Sequence, residues 1–256
     1  MSSNPACNGA PRHPASLVRC GQVLFRYRNI IFPLMLLILM IWRQPNALAG
    51  SAAADIWLDA AGLAIIVAGL VLRGWVIGLQ YIKRGGENKQ VYAEGLVTGG
   101  VFSCSRNPLY VGNVLLLIGL TVIFNDPLVY VVAIPVALFA YEAIVAAEEH
   151  FLAGKFGQAY ADYCATVNRW FPNPRRLVAA TRGERFDWPR VIGADYNTAW
   201  TWLTAAVLVL IYERASAPAW QAIEADLTPL WASLAVLAGA YIVAWGMKKK
   251  GLLGKR

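Results

Sequence analysis

Two stretches of this 256-residue sequence hold residues of types and spacings that could do chemistry. In the first, from Gly95 to Gly112, Arg106-Asn107-Pro108 precedes a long apolar run. Pro108 suits the first position of a helix, where its missing N–H costs nothing, and Asn107 is placed to cap it. The free backbone donors of that helix start, beside Arg106, would receive an anion or a carboxylate. The second stretch, from Glu148 to Pro172, opens on two adjacent carboxylates, Glu148 and Glu149, with Glu142 seven residues earlier on about the same helix face. Such a pair is costly to desolvate and calls for a cationic partner. Glu149, Leu152, Phe156, Tyr160, Tyr163 and Val167 recur at steps of three and four, which makes one apolar and aromatic stripe headed by a carboxylate. Gly154 and Gly157 are the places where that stripe could break. The Gly99-Gly100 pair is no dinucleotide fingerprint, since no G-x-G-x-x-G is present.

The elements that must position these residues are membrane spans. The composition is 58% hydrophobic and 15% charged, with a mean hydropathy of +0.47, which excludes an ordinary water-soluble core. Six apolar runs occur, at 30–42, 56–82, 109–124, 128–147, 199–212 and 230–247. There are 23 Lys and Arg against 15 Asp and Glu, a net charge of +8. Alternate inter-run segments hold 20 of these cations against 2, with Arg73 inside the second run. This is the asymmetry of a six-span, all-α helical bundle whose termini are both cytoplasmic. A nucleic-acid partner is excluded on the same ground: the charges bracket spans at every second loop instead of covering one face.

Finer expectations follow from single residues. Ala47-Leu48-Ala49 has the form of a signal-peptidase site, against which stand the long segment before the first run and the charge of Arg43. Arg73, nine residues before the end of the second run, either snorkels to headgroups or faces the interior of the bundle, and Asp59 near the other end is expected to be wet. Asn125-Asp126 before Pro127 should close a tight hairpin, and Pro135 should kink the fourth run. The hairpin brings the two chemical stretches to one membrane face. The four cysteines, Cys7, Cys20, Cys104 and Cys164, lack any metal-ligand spacing and read as reduced thiols. Arg106 at phosphate headgroups and Tyr110 in an aromatic belt would suit a plain membrane boundary equally well.

The motifs together resemble the superfamily of isoprenylcysteine carboxyl methyltransferases and phospholipid methyltransferases, which are integral-membrane enzymes. That pattern is an Arg-His-Pro-x-Tyr-x-Gly opening to a helical hairpin, then paired glutamates, a leucine, Phe-Gly, tyrosines, Val-x-Arg and proline. Here it is Arg106-Asn107-Pro108-Leu109-Tyr110-Val111-Gly112, Glu148-Glu149, Leu152, Phe156-Gly157, Tyr160, Tyr163, Val167-Asn168-Arg169 and Pro172. Leu96-Val97-Thr98-Gly99-Gly100-Val101 is similar to the Leu-Val-Thr-x-Gly-Pro approach of the same enzymes.

The resemblance implies S-adenosylmethionine as cofactor, S-adenosylhomocysteine as product, and no Rossmann domain. It implies a cofactor set of Leu96, Thr98, Arg106, Asn107, Pro108, Tyr110, Gly112, Glu148, Glu149, Leu152, Tyr160 and Tyr163, no metal, and Glu148, Glu142 and Arg169 as catalytic candidates. The acceptor would be lipophilic or membrane-accessible: a lipid amine, a thiol or a prenylcysteine-like carboxylate. Asn107 replaces the usual histidine and cannot carry a proton. Glu142 stands where prenylcysteine enzymes tend to carry an arginine, which favours an amine or thiol acceptor over a carboxylate. The expected organisation is an N-terminal segment with the first span (1–55), a methyltransferase core (56–172), a basic cytoplasmic linker (173–197) and two further spans with a basic tail (198–256). Membrane lipids are expected partners and a homodimer is open; the setting is a bacterial inner membrane with the site on the cytoplasmic face. A nicotinamide-dependent membrane reductase of the steroid-reductase type, or a non-catalytic scaffold, are the competing readings.

Overall fold

The computed structural model describes residues 11–80, 91–182 and 185–253. Cys7, Ile82 and the loop charges Lys83, Arg84 and Lys89 lie outside the described residues. Each apolar run falls in a helix, as it must where lipid offers the backbone no hydrogen bonds. The six are α1 (Ala15–Trp42), α2 (Ala52–Leu79), α3 (Pro108–Phe124), α4 (Pro127–Phe156), α7 (Trp188–Ser216) and α9 (Thr228–Lys249). Shorter helices are α5 (Gln158–Thr166), α6 (Pro174–Thr181) and α8 (Pro218–Gln221), and no strand occurs among the described residues. By length and apolarity α2, α4 and α9 can each cross a membrane, and α1 is a fourth span if its segments Ala15–Arg28 and Ile30–Trp42 count as one. The protein is an all-α integral-membrane protein.

Two compact units divide the chain. The first takes its residues from Met1–Pro33, Leu79–Tyr110 and Leu138–Arg185, and the second from Leu34–Gly78, Val111–Ala137 and Phe186–Arg256.

In the second unit, glycines let α2 and α3 run against each other. A Cβ on Gly62 would lie 2.8 Å from the carbonyl oxygen of Gly119, and one on Gly69 would lie 2.9 Å from that of Gly112. Without side chains at these crossings the backbones approach closely, the small-residue packing by which helices associate in lipid. Ile66, Leu116, Leu120, Ile123, Phe124 and Val209 fill the core beside them.

The hairpin forms as expected. Asn125 adopts a left-handed φ of 46°, and Asp126 caps α4 by accepting from the N–H groups of Leu128 (3.0 Å) and Val129 (3.1 Å). Arg43 donates to both oxygens of Asp126, whose side chain is fully buried. Burial pushes the Asp126 carboxyl up, but Arg43 and the two capping N–H groups outweigh it and hold the group below its ordinary range. Pro135 does not break α4, which is one helix from Pro127 to Phe156.

One expectation is corrected in this unit, and the alternative left open for Arg73 is decided. Asp59 is not wet: it is 4% exposed and accepts from Arg214 Nη2 at 2.9 Å, because the first turns of α2 face the end of α7. Arg73 does not snorkel; it is buried against Asp195, with Nε 3.0 Å from Oδ2, and also donates to Asn113. The stretch 173–197 contains α6 and the start of α7, before which Asp187 accepts from Arg190 N at 2.9 Å.

Candidate active site

The site lies in the first unit and is organised around the last turns of α4. Glu149 is 2% exposed, so its charge has to be met by protein groups. Its Oε1 lies 3.1 Å from Arg106 Nη1 and 3.2 Å from Arg169 Nε, and its Oε2 lies 2.7 Å from His13 Nε2 and 3.1 Å from Arg169 Nη2. The expected cationic partner is therefore a pair of guanidiniums, with the His13 imidazole as a further hydrogen-bond partner. Arg106 is inward, with only 10% of its side chain exposed, which removes the headgroup-anchor reading. Burial works against its charge, yet Glu149 and Cys164 beside it leave the guanidinium more firmly protonated than usual.

Local chemistry fixes the elements that carry these groups. Gly157, at φ 54°, ends α4 and starts α5, a left-handed turn that a Cβ would disfavour. The stripe accordingly breaks at Gly157 and not at Gly154, and the fold-back packs Tyr160, Tyr163 and Val167 with Leu152, Phe156 and Leu96. Tyr163 Oη donates to Phe102 O at 2.7 Å. Ser105 Oγ donates to Trp170 O at 3.0 Å, and Arg106 N to Asn168 O at 2.9 Å. Arg176 Nη1 donates to the carbonyls of Ser103 and Thr166. The two chemical stretches thus meet through side-chain and backbone hydrogen bonds. Burial raises the Tyr160, Tyr163 and Cys164 groups above their ordinary ranges, so all three stay neutral at physiological pH.

A cavity of about 300 Å³ opens beside this cluster. Of the residues expected to hold a cofactor, Leu96, Arg106, Asn107, Glu148, Glu149, Leu152, Tyr160 and Tyr163 line it. Tyr110 stands behind the lining and donates to Glu148 Oε1 at 2.6 Å. Thr98 and Pro108 are not in the lining, and Gly112 belongs to the second unit, where it faces Gly69 and Arg73. The Asn107 side chain is turned away from a capping role: its Nδ2 donates to Arg169 O at 3.1 Å. Glu142 and Arg169 form an ion pair, and Trp170 Nε1 adds a donor to Glu142 at 3.3 Å. Glu142 is therefore already neutralised, and neither residue lines the cavity.

Sequence reasoning missed His13, Tyr92, Glu94 and Phe102. His13 carried no signal, standing 136 positions from its partner. Tyr92, Glu94 and Phe102 line the cavity. Lys155 was a usable signal for that segment, being about two turns beyond the glutamates; it donates to Ala93 O and lies 5.3 Å from the centre of the Tyr92 ring.

Fold and site together define an integral-membrane helical protein with an acid-rich, aromatic pocket at a helix end. Residues 57–159 match the family model of the phospholipid methyltransferases. The chain is also similar to the cobalt-zinc-cadmium resistance protein CzcN of Cupriavidus metallidurans, 34% identical over 89 residues. That alignment covers 35% of this chain and 39% of the relative, so the chain spans about two fifths of its length. No solved structure matches the chain.

Proposed function

We propose that the protein transfers a methyl group from S-adenosylmethionine to a lipid acceptor, with the 300 Å³ cavity as the cofactor site. The observation that carries this reading is the donor set of the cavity. Glu94, Glu148 and Glu149 stand among tyrosine and phenylalanine rings, with Arg106 as the cation among them. Carboxylates and ring faces suit the sulfonium and ammonium cations of the cofactor. Arg106 Nε is buried without a hydrogen-bond partner, which supplies a donor for the cofactor carboxylate. Phosphate-rich nicotinamide cofactors fit less well, because, among the described residues, three glutamates line the cavity with Arg106 as its one cation.

The bound cofactor supplies an electrophilic methyl group for in-line displacement. Tyr110 orients Glu148 through its 2.6 Å hydrogen bond, and Arg169 holds Glu149 and Glu142 in fixed rotamers. The rings of Phe102, Tyr160 and Tyr163 exclude water from the reacting centre.

A second cavity of about 1070 Å³ shares Tyr92 with the first and is lined by Val23, Phe25, Tyr27, Val91 and Phe151, with Arg26 and Lys155. Its apolar lining suits acyl chains and its two cations suit a lipid phosphate, so the acceptor we favour is an amine-bearing phospholipid.

Calorimetry of S-adenosylhomocysteine binding to the purified protein in detergent tests the reading. Wild type should bind in the micromolar range, and Glu148→Gln should weaken binding by about tenfold through loss of one charge-assisted contact. Folded wild type that binds neither S-adenosylhomocysteine nor S-adenosylmethionine would refute it. Labelled methyl transfer into phosphatidylethanolamine vesicles, and not into thiols, tests the acceptor.

A further inference from the structure

Away from the pocket, the second unit buries three carboxylates against one another. Asp55 and Glu213 are 0% exposed and Asp59 is 4% exposed, and one oxygen from each lies within 4.8 Å of the other two. Asp55 is satisfied by protein donors: Leu48 N reaches its Oδ1 and Trp220 Nε1 its Oδ2, both at 2.9 Å. Arg214 Nη2 donates to Asp59 Oδ2 at 2.9 Å and lies 4.4 Å from the centre of the Trp220 ring. Three oxygens remain, Asp59 Oδ1 and both oxygens of Glu213, each buried and none with a hydrogen-bond partner among the described residues.

Three ionised carboxylates and one guanidinium leave a charge of −2 in a place closed to water. Buried charge of that size is retained only when paired or when it coordinates a cation. Protons on Glu213 and a neighbour would lower the charge, but each proton satisfies one oxygen–oxygen contact, whereas one divalent ion among the three carboxylates cancels the whole charge. Oxygens that lie within 4.8 Å of one another can be reached by one ion at a metal–oxygen distance of about 2.4 Å. The cluster offers carboxylate oxygens and neither imidazole nor thiolate, the donor set that oxygen-seeking ions prefer. We propose that Asp55, Asp59 and Glu213 bind one divalent cation of the Mg²⁺, Mn²⁺ and Ca²⁺ class, tying the start of α2 to the end of α7. Arg214 and Trp220 support the site by holding the outer oxygens of Asp59 and Asp55.

Mn²⁺ is the probe. Wild-type protein in detergent is stripped with EDTA, dialysed and titrated with Mn²⁺, with free ion followed by electron paramagnetic resonance and thermal unfolding recorded in parallel. The expected result is one Mn²⁺ bound per chain and a higher Tm. Glu213→Gln and Asp59→Asn should each weaken Mn²⁺ binding by about tenfold or more, while Glu224→Gln, at an exposed acidic position in the segment that follows, should bind as wild type does. The wild-type titration needs no variant to fold. A stripped wild type whose Tm is unmoved by Mn²⁺, Mg²⁺ and Ca²⁺ overturns the proposal, and a Glu213→Gln protein more stable than wild type in EDTA would then identify shared protons as the occupant. Neither readout involves S-adenosylmethionine.

Discussion

Replacing Glu149 with glutamine keeps the volume and removes the charge at the centre of the pocket cluster. The carboxylate is 2% exposed and meets Arg106 at 3.1 Å, Arg169 at 3.1 and 3.2 Å, and His13 at 2.7 Å. Arg169 keeps Glu142 as a partner, so the side chain left most exposed to the loss is Arg106, 10% exposed and in contact with Cys164. Removing one member of a buried ion pair costs about 3–5 kcal/mol, since the remaining charge has no water to return to. That is a large part of the roughly 5–15 kcal/mol by which folded chains are stable. At about 2–4 °C per kcal/mol for a chain of this size, Tm should fall by roughly 10 °C. The neighbouring Glu148→Gln serves as the contrast: the glutamine carbonyl still accepts from Tyr110, so its loss should be about 1 kcal/mol. Thermal unfolding of both variants in one detergent, followed by intrinsic tryptophan fluorescence, reads the difference. Equal Tm values for Glu149→Gln and Glu148→Gln would refute the assignment of Glu149 as the charge centre.

Other perturbations address the frame. Gly119→Val should destabilise by about 1–3 kcal/mol or prevent accumulation, because its Cβ would stand 2.6 Å from Gly62 O; a wild-type Tm would contradict the close α2–α3 crossing. Arg73→Gln takes the guanidinium away from Asp195, 5% exposed, and should cost about 3–5 kcal/mol; adding Asp195→Asn should recover much of that Tm, and strict additivity of the two losses would count against the pair. The folded-state pKa of Asp126 is depressed, so its contribution is fully present above the ordinary carboxylate value and is lost as pH falls through the folded one. Wild-type Tm should therefore drop below about pH 4, and Asp126→Asn should flatten that limb of the Tm–pH curve. Burial raises the Cys164 thiol, so its alkylation by iodoacetamide at pH 7.5 should be slower than that of a free thiol, and rapid labelling of folded protein would contradict the packing against Arg106.

The sequence by itself determined the helices and the meeting of the two chemical stretches. Apolar runs must be helical in lipid, Asn125-Asp126-Pro127 leaves room only for a hairpin, and a hairpin returns its ends to one place. Spacing also placed Glu149, Leu152, Tyr160 and Tyr163 on a common stripe, and the family motifs named most of the cavity lining. Tertiary structure alone decided which charges pair. His13 and Glu149 are 136 positions apart, Arg73 and Asp195 are 122 apart, and Arg214 and Asp59 are 155 apart. Helical periodicity says which face a residue occupies and nothing about which other helix that face meets. Asp59 therefore read as wet and Arg73 as a snorkelling candidate, and Gly112 read as a cofactor contact although it is a helix crossing. The carboxylates of Asp55, Asp59 and Glu213 became a cluster only when the start of α2 and the end of α7 were brought together, because burial and charge balance are properties of the packed helices.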